Sequence, residues 1–256
     1  MDAALPFAKH VLTQKTVSVD EVDRGSACGC VCLFCDAPVQ ARKGTVKIHH
    51  FAHMPRAVED EKECPASFSR CVFWMTRRIL TESRAFIVPA YEYKLIDLRR
   101  GKREETHVNI TREKSIEYTS VEFPMTLSEQ KDEDVAILEV AGHKLMLRIK
   151  MGARSAIAGA SAYKESPQSI ATLGVYLDNL WEIFQEHSQT FRAKLEEMIL
   201  RNSASDKQWI YHPRAEQLQH RFEDAEVVTA EGIRYLVAPR AKAPFRDAKT
   251  GRLVIK

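Results

Sequence analysis

Cysteine and histidine residues cluster in the first quarter of the 256-residue chain. Cys32 and Cys35 have the C-x-x-C spacing that lets one tight turn aim two thiolates at a single metal ion, and His50 and His53 can offer two imidazoles from one face of a turn. Thiolate and imidazole donors in a tetrahedral arrangement favour Zn²⁺. We therefore predict structural zinc at these four residues. Four neighbours could each replace one of these ligands: Cys28, Cys30, His49 and Cys64.

The composition is that of a soluble protein with a packed core. Hydrophobic residues make up 45% of the chain and charged residues 29%, and no run approaches the roughly 20 apolar residues that span a bilayer. The N-terminus lacks a basic start followed by a long apolar stretch, so a secretory signal is not expected. Metal-type cysteine spacing without such a signal indicates the reducing cytoplasm and not a disulfide framework.

Basic residues are concentrated near the C-terminus. The net charge is only +3, but residues 232–256 contain seven basic side chains against one acid, Asp247. A basic terminus of this kind can contact nucleic-acid phosphates. It is equally compatible with a solvated tail that only aids solubility.

Helical and strand patterns alternate behind the cysteine–histidine segment. Apolar residues recur at three- and four-residue steps over Ser67–Ser83, which predicts a helix. The runs Val135–Val140 and Leu145–Met151, joined by a glycine-containing turn, predict a hairpin. A further strand, Ile170–Leu177, leads into a long helix over Leu180–Arg201. This order predicts an α+β fold with an α/β-like core behind the metal-binding module.

Five motifs follow one another in the N-terminal segment: Arg24-Gly25, Ala27-Cys28-Gly29-Cys30-Val31-Cys32 with Cys35, Pro38-Val39, Ala41-Arg42-Lys43-Gly44 and His49-His50-Phe51-Ala52-His53. Together they resemble the N-terminal zinc-binding region of the competence protein CoiA-like family. The resemblance is close over the first quarter of the chain, and weaker similarity continues in order behind it. It implies a PD-(D/E)XK nuclease-like fold after the zinc module, DNA as the ligand and a bacterial origin.

The resemblance also divides the chain into three parts. Residues 1–63 would form the zinc-binding β module, and residues 64–185 a PD-(D/E)XK nuclease-like mixed sheet with flanking helices. Residues 186–256 would form a helical and strand extension that ends in the basic tail. A polar linker, Met54–Glu63, joins the module to the core on this view.

A nuclease of this kind needs two acids and a lysine around Mg²⁺, because the carboxylates hold the metal and the metal activates water. The resemblance places the first acid at Asp134 and the lysine at Lys150. Arg148 stands where the second carboxylate is expected, and a guanidinium repels Mg²⁺ instead of binding it. Glu122 also fits an acidic position, so an active enzyme would use Asp134, Glu122 and Lys150.

Other positions depart from the family pattern as well. Phe68, Val72 and Thr76 occupy the helix positions where the family carries Glu, His and Lys, and Gly152-Ala153 replaces a Thr-His pair. None of these side chains ionises in the required way. Loss of most of the set together indicates an active site that has been rebuilt or abandoned.

These observations favour a zinc-containing nucleic-acid-binding protein with a degenerate nuclease core that does not hydrolyse phosphodiesters by the usual mechanism. Phosphate contacts are expected from basic residues of the core and the tail: Arg148, Lys150, Arg154, Lys249, Arg252 and Lys256. Two alternatives stay open. One is an active Mg²⁺-dependent DNA endonuclease, and the other is a protein-interaction subunit without a nucleic-acid role, in which zinc only folds the module.

Overall fold

The structure is a computed structural model that describes most of the chain. Side chains of the described residues are included up to residue 215, except those of residues 93–97 and 104–107. The described residues are 4–45, 48–54, 64, 66–97, 104–124, 133–152, 170–202, 206–215, 226–230, 233–238, 245–246 and 253–254. The expected linker falls almost wholly at 55–63, outside this set.

Five short strands form the N-terminal module: β1 (Phe7–His10), β2 (Thr16–Ser18), β3 (Cys30–Val31), β4 (Val39–Arg42) and β5 (His50–His53). The first three pair antiparallel in the order β2-β1-β3, and β4 pairs antiparallel with β5. Isolated bridges from Leu5 to Phe51 and from Val31 to Pro38 join the two small sheets. The module is therefore one β unit, and Phe7 and Phe51 are buried inside it.

A 15-residue helix, α1 (Phe68–Glu82), follows the module. Ser67 caps its start, because the Ser67 hydroxyl oxygen accepts a hydrogen bond from the backbone N–H of Arg70 at 3.3 Å. The helix buries most of the residues predicted from the apolar spacing and two others. Buried are Cys71, Val72, Met75, Ile79 and Leu80, together with Phe73 and Thr76, whereas Phe68 is half-buried. The helix predicted over Ser67–Ser83 is confirmed to within one residue at each end.

Four strands lead from α1 towards the main sheet: β6 (Ala85–Val88), β7 (Tyr91–Asp97), β8 (Glu104–Thr111) and β9 (Lys114–Glu117). β7 and β8 are antiparallel neighbours, and β6 pairs antiparallel with β9. The β6–β9 pair is fastened to the main sheet by Lys207, whose buried ammonium donates a hydrogen bond to the carbonyl oxygen of Ile87 at 2.9 Å.

A five-stranded mixed sheet forms the centre of the molecule: β10 (Ser120–Glu122), β11 (Glu133–Val140), β12 (His143–Met151), β13 (Ala171–Leu177) and β14 (Lys207–Tyr211). The strand order is β10-β11-β12-β13-β14, and only the β12–β13 pair is parallel. The hairpin predicted from the sequence is confirmed as β11 and β12, with a two-residue turn at Ala141-Gly142. A parallel pair requires a crossover connection, whose residues 153–169 lie outside the described part.

The two faces of the β11–β12 hairpin are unlike. Alternate residues point to opposite faces of a strand. One face is apolar between its two ends, where Asp134 lies opposite Ile149 at the start and His143 lies beside the turn. The other face carries half-buried charges, with Glu133 opposite Lys150 and Arg148 one pair further along. The hairpin therefore separates Asp134 from the charged face.

Two helices after β13 close one side of the core: α2 (Leu180–His187) and α3 (Phe191–Glu196), the latter continuing as a π-helical turn over Glu197–Arg201. The single long helix predicted over Leu180–Arg201 is interrupted at Ser188. There the serine hydroxyl oxygen accepts a hydrogen bond from the backbone N–H of His49 at 2.9 Å. The break therefore coincides with a contact between Ser188 and the N-terminal module.

Aromatic side chains pack α2 and α3 onto the N-terminal module and α1. Phe191 stacks on Phe7 with ring centroids 5.6 Å apart, and Phe184 lies 5.6 Å from Phe68. An ion-pair network reinforces this contact, because Arg192 reaches Glu21 at 2.6 Å and Glu82 at 3.2 Å. The module, α1 and α3 therefore pack as one unit.

The last strands form two small sheets: β15 (Glu226–Ala230), β16 (Ile233–Ala238), β17 (Phe245–Arg246) and β18 (Leu253–Val254). β16 extends the earlier pair, giving the order β15-β16-β7-β8, and β17 pairs with β18. The predicted α+β class is confirmed by this combination of a mixed sheet, small antiparallel sheets and packed helices. No helix in the described part of the chain is long and apolar enough to cross a membrane.

Candidate functional site

Four side chains from the N-terminal segment converge on one point. The donor atoms of Cys32, Cys35, His53 and Cys64 all lie within 4.8 Å of one another. Cys32 Sγ and Cys64 Sγ are 3.6 Å apart, and Cys35 Sγ lies 3.4 Å from His53 Nε2. Tetrahedral zinc with Zn–S bonds of about 2.3 Å puts neighbouring sulfurs roughly 3.8 Å apart. The group therefore has the size and the donor types of a possible tetrahedral metal site.

A tight turn after β3 presents the first two cysteines. The backbone N–H of Cys32 donates to the carbonyl oxygen of Ala37 at 2.8 Å, and Cys32 O accepts from Asp36 N at 3.2 Å. Asp36 adopts a left-handed conformation with φ 52°, which aspartate tolerates better than most residues. This turn brings Cys35 back beside Cys32, as the C-x-x-C spacing predicts.

The other two donors come from distant parts of the chain. His53 ends β5 and lies opposite Val39 of β4, and Cys64 stands shortly before α1. The Cys64 sulfur accepts a hydrogen bond from Ala66 N at 3.4 Å, and the Cys32 sulfur accepts one from Phe34 N at 3.5 Å. Backbone N–H groups aimed at sulfur favour the thiolate form, which is the form that binds a metal.

His50 does not belong to this group, contrary to the set expected from the sequence. His50 and His53 lie on one β-strand, and residues three apart on a strand point to opposite faces. His50 Nδ1 instead lies 2.9 Å from the carbonyl oxygen of Ile48. Cys64, one of the four substitutes considered, completes the group in its place.

The other three alternative ligands, Cys28, Cys30 and His49, make contacts outside the four-residue group. The Cys28 thiol donates to Val39 O at 3.3 Å, and the Cys30 thiol donates to Cys28 O at 3.2 Å. His49 Nδ1 lies 3.0 Å from a carboxylate oxygen of Asp20. These three residues therefore stabilise the module around the four-residue group and take no part in it.

Burial sets the electrostatics of the group. Cys32 has no exposed surface, and burial raises the pKa of its thiol to about 12, while burial also raises the pKa of Cys64. Deprotonation of these thiols at neutral pH therefore needs a bound cation. Four protein donors leave no open coordination position, so the arrangement suits a structural site and not a catalytic one.

Asp134, expected as a catalytic acid, is held in a buried ion pair. Its side chain has no exposed surface, and its two oxygens accept hydrogen bonds from Nε and Nη2 of Arg77, each at 2.8 Å. Oδ1 also accepts from the backbone N–H of Val135 at 2.8 Å. Arg77 in turn lies over the ring of Phe123, 4.9 Å from its centroid. Both oxygens of this carboxylate thus accept hydrogen bonds from the protein.

Lys150 and Arg148 lie on the opposite face of the hairpin from Asp134, where both contact Glu133. Arg148 donates from Nε to Glu133 Oε1 and from Nη2 to Oε2 at 3.0 Å. Lys150 Nζ reaches the same Oε2 at 3.2 Å. We call Glu133, Arg148 and Lys150 the charged triad.

Glu122 is exposed on the edge strand β10, where it pairs with Ile137. It shares a face with the charged triad, but Ile137 is four residues from Glu133, roughly 13 Å along a strand. Asp134, Glu122 and Lys150 are therefore not brought together. In the part of the chain that the structure describes, the cysteine–histidine group is the only one of three or more residues suited to a metal ion.

Glu133 was not among the residues singled out from the sequence. A two-residue turn at Ala141-Gly142 pairs Val140 with His143 and, counting outwards, Glu133 with Lys150. The turn position was thus the signal that could have identified Glu133. The remaining expected phosphate contacts lie outside the described residues: Arg154, Lys249, Arg252 and Lys256.

Comparison with known proteins bears on the N-terminal segment. Residues 14–66 match the family model for the N-terminal domain of competence protein CoiA. No curated protein and no solved structure gives a significant match to the chain. The matched segment includes the whole group Cys32, Cys35, His53 and Cys64. The chain thus carries a CoiA-type N-terminal domain over residues 14–66, and its resemblance to the CoiA-like family is confirmed there.

Proposed function

We propose that the chain is a zinc-containing nucleic-acid-binding protein whose nuclease-like core does not hydrolyse phosphodiesters. The observation that carries this proposal is the charged triad. Where a nuclease hairpin of this type would hold Mg²⁺ between two carboxylates, Arg148 and Lys150 instead converge on Glu133. A guanidinium at this point excludes a divalent cation by charge repulsion.

Zinc is the metal proposed for the N-terminal group. Three sulfurs and one imidazole nitrogen match its preferred donors, and a Cys₃His set with no open position supplies a structural clip. The residues that would hold it are Cys32, Cys35, His53 and Cys64. Six free cysteines and a thiolate-dependent site suit a reducing compartment, so a cytoplasmic location is part of the same proposal.

A PD-(D/E)XK-like core is supported by the order of elements. Helix α1 precedes an antiparallel run β10-β11-β12, and β13 returns parallel to β12 after a crossover. Asp134 lies at the start of β11, but both of its carboxylate oxygens accept hydrogen bonds from Arg77. The core thus retains the scaffold proposed for the family and has ion pairs in place of a catalytic metal site.

Nucleic acid is proposed as the ligand because the family match concerns competence protein CoiA and because the chain carries excess basic charge, concentrated near its C-terminus. Arg148 and Lys150 are the described candidates for phosphate contact, together with Arg154 and the tail residues Lys249, Arg252 and Lys256. Electrostatic binding of this type weakens steeply with salt.

Two assays test the proposal. Purified protein is incubated with linear, nicked and single-stranded DNA in Mg²⁺ or Mn²⁺, and we expect no cleavage, together with DNA binding that falls as salt rises. Metal-dependent cleavage that is lost in E122A or D134A protein would contradict the proposal and favour the active endonuclease. Absence of binding even at low salt would favour the protein-interaction subunit instead.

A further inference from the structure

We propose that Glu133 occupies the position of a nucleic-acid phosphate between Arg148 and Lys150, and that binding at this site requires its displacement. The inference rests on the proposed nucleic-acid-binding function and adds where a phosphate binds and what competes with it. The competitor is part of the chain itself, so the site is autoinhibited.

The contacts within the charged triad have the geometry of anion recognition. The Arg148 guanidinium contacts both oxygens of Glu133, and the Lys150 ammonium shares one of them, Oε2, at 3.2 Å. A guanidinium fork binds carboxylate and phosphate oxygens with the same paired donors. A phosphate can therefore replace the carboxylate without rearrangement of the two cations.

Exposure distinguishes this site from the nearby buried ion pair. The side chains of Glu133, Arg148 and Lys150 retain 24%, 13% and 17% of their exposure, respectively, whereas Asp134 retains none. Glu133 is the most exposed member of the charged triad and therefore has a path into solvent. Asp134, in its pair with Arg77, has no such path into solvent.

The balance of charges in the site predicts how Glu133 changes the affinity for phosphate. Two cations face one carboxylate in the charged triad, so the site carries one net positive charge while Glu133 is in place. Departure of Glu133 doubles that charge. A phosphate then gains two cationic partners, but it competes with an anion tethered at the same point, and this competition lowers the observed affinity.

Strand β13 flanks the two cations of the charged triad. Gly174 lies beside Arg148 and Tyr176 beside Lys150 in the parallel register. A Cβ atom at Gly174 would lie only 2.6 Å from the phenol oxygen of Tyr176, so the tyrosine ring covers the glycine beside Arg148.

Neutralising the competitor tests the inference. E133Q removes the charge and keeps the shape, and E139Q is the matched control, because Glu139 lies on the same strand and face, where its carboxylate accepts a hydrogen bond from Ser120. Affinity for a fluorescent DNA duplex is measured against NaCl concentration. For E133Q we expect roughly three- to tenfold tighter binding than for E139Q, and a salt slope steeper by about 0.9, the value for one added phosphate contact.

The outcomes separate the inference from the proposed function. Wild-type binding with identical affinities and slopes for E133Q and E139Q would overturn the inference and leave the proposed function intact. No salt-dependent binding by wild-type, E133Q or E139Q protein would overturn both.

A second variant covers the case in which E133Q does not fold. K150Q keeps the bidentate contact of Arg148 with Glu133, and we expect it to bind DNA more weakly with a slope about 0.9 shallower. Binding by K150Q equal to that of wild-type would overturn the phosphate site.

Discussion

Arg77 and Asp134 form a bidentate ion pair between α1 and β11, with both N–O distances at 2.8 Å and no exposed surface on the aspartate. The pair joins the helix behind the metal-binding module to the first long strand of the central sheet. Both carboxylate oxygens of Asp134 accept hydrogen bonds from the protein, so the residue links α1 to β11.

Removing the arginine alone should destabilise the protein strongly. R77M leaves a buried carboxylate without its partner, and breaking one side of a buried pair costs about 3–5 kcal/mol. The double variant R77M/D134L, which removes both charges, should be more stable than R77M because a buried pair can be replaced by apolar groups at little cost. Urea unfolding followed by circular dichroism measures both. Equal stability of the single and double variants would show that the carboxylate is not desolvated as the structure indicates.

Two histidines on one strand should differ in their effect on bound metal. H53A removes a donor from the four-residue group, whereas His50 lies outside it. We expect about one zinc per chain in wild-type and H50A protein and less than half of that in H53A protein, measured by plasma emission spectrometry after gel filtration. Loss of zinc in both H50A and H53A protein would restore the ligand set expected from the sequence.

Chelation should destabilise more than the module. Cys64, one of the proposed ligands, stands only four residues before α1 begins. Helix α1 packs with the module and α3 through the network of Arg192, Glu21 and Glu82. A structural metal contributes directly to folding free energy. We expect strong chelators to lower the melting temperature of the whole cooperative transition, including the near-ultraviolet signal of Trp209 in β14. A transition confined to the N-terminal segment would contradict this coupling.

Metal affinity should fall with decreasing pH. Burial raises the pKa of Cys32 to about 12 and raises that of Cys64, so both thiols are protonated at neutral pH before metal binds. Binding must release these protons, and the logarithm of the association constant should therefore rise by at least two per pH unit between pH 6 and 8. Competition with a chromophoric chelator measures the slope. A slope below one would mean that the thiols do not both ligate.

Local patterns predicted the elements whose contacts are close in sequence. The apolar spacing of α1 and the alternation of β11 and β12 were sufficient to predict these elements, because a helix and a short hairpin depend on neighbours a few residues away. The break at Ser188 was not predictable in this way, since the serine contacts His49, 139 residues distant, and leaves no signal in the local apolar pattern.

The cysteine–histidine group likewise combines local contacts, which the sequence predicts, with distant contacts, which it does not. The pair Cys32 and Cys35 follows from a turn that is local in sequence. The choice between His50 and His53 depended on whether that segment is a turn or a strand, and the strand turns His50 to the opposite face. Cys64 joins from beyond residues 55–63, a distance over which spacing carries no geometric information.

The two acids at the start of β11, Glu133 and Asp134, could not be distinguished by residue type alone. Asp134 was selected because its position fits the family pattern, yet a shift of one residue moves a side chain to the opposite face of a sheet. Glu133 shares its face with Arg148 and Lys150 because the turn occupies only two residues. Pairing register, and not residue type, therefore decides which acid meets the basic side chains.

The contact of Gly174 with Tyr176 gives a final prediction. A Cβ at position 174 would lie 2.6 Å from the tyrosine Oη and 2.8 Å from Cζ, closer than packed atoms can approach, and the ring atoms are not a flexible chain end. G174A should therefore cost about 1–3 kcal/mol of unfolding free energy. In a Y176L background, which removes the ring, the same glycine substitution should cost at least 1 kcal/mol less, as a double-mutant cycle by chemical denaturation would measure. An equal cost in both backgrounds would mean that the ring does not lie over Gly174.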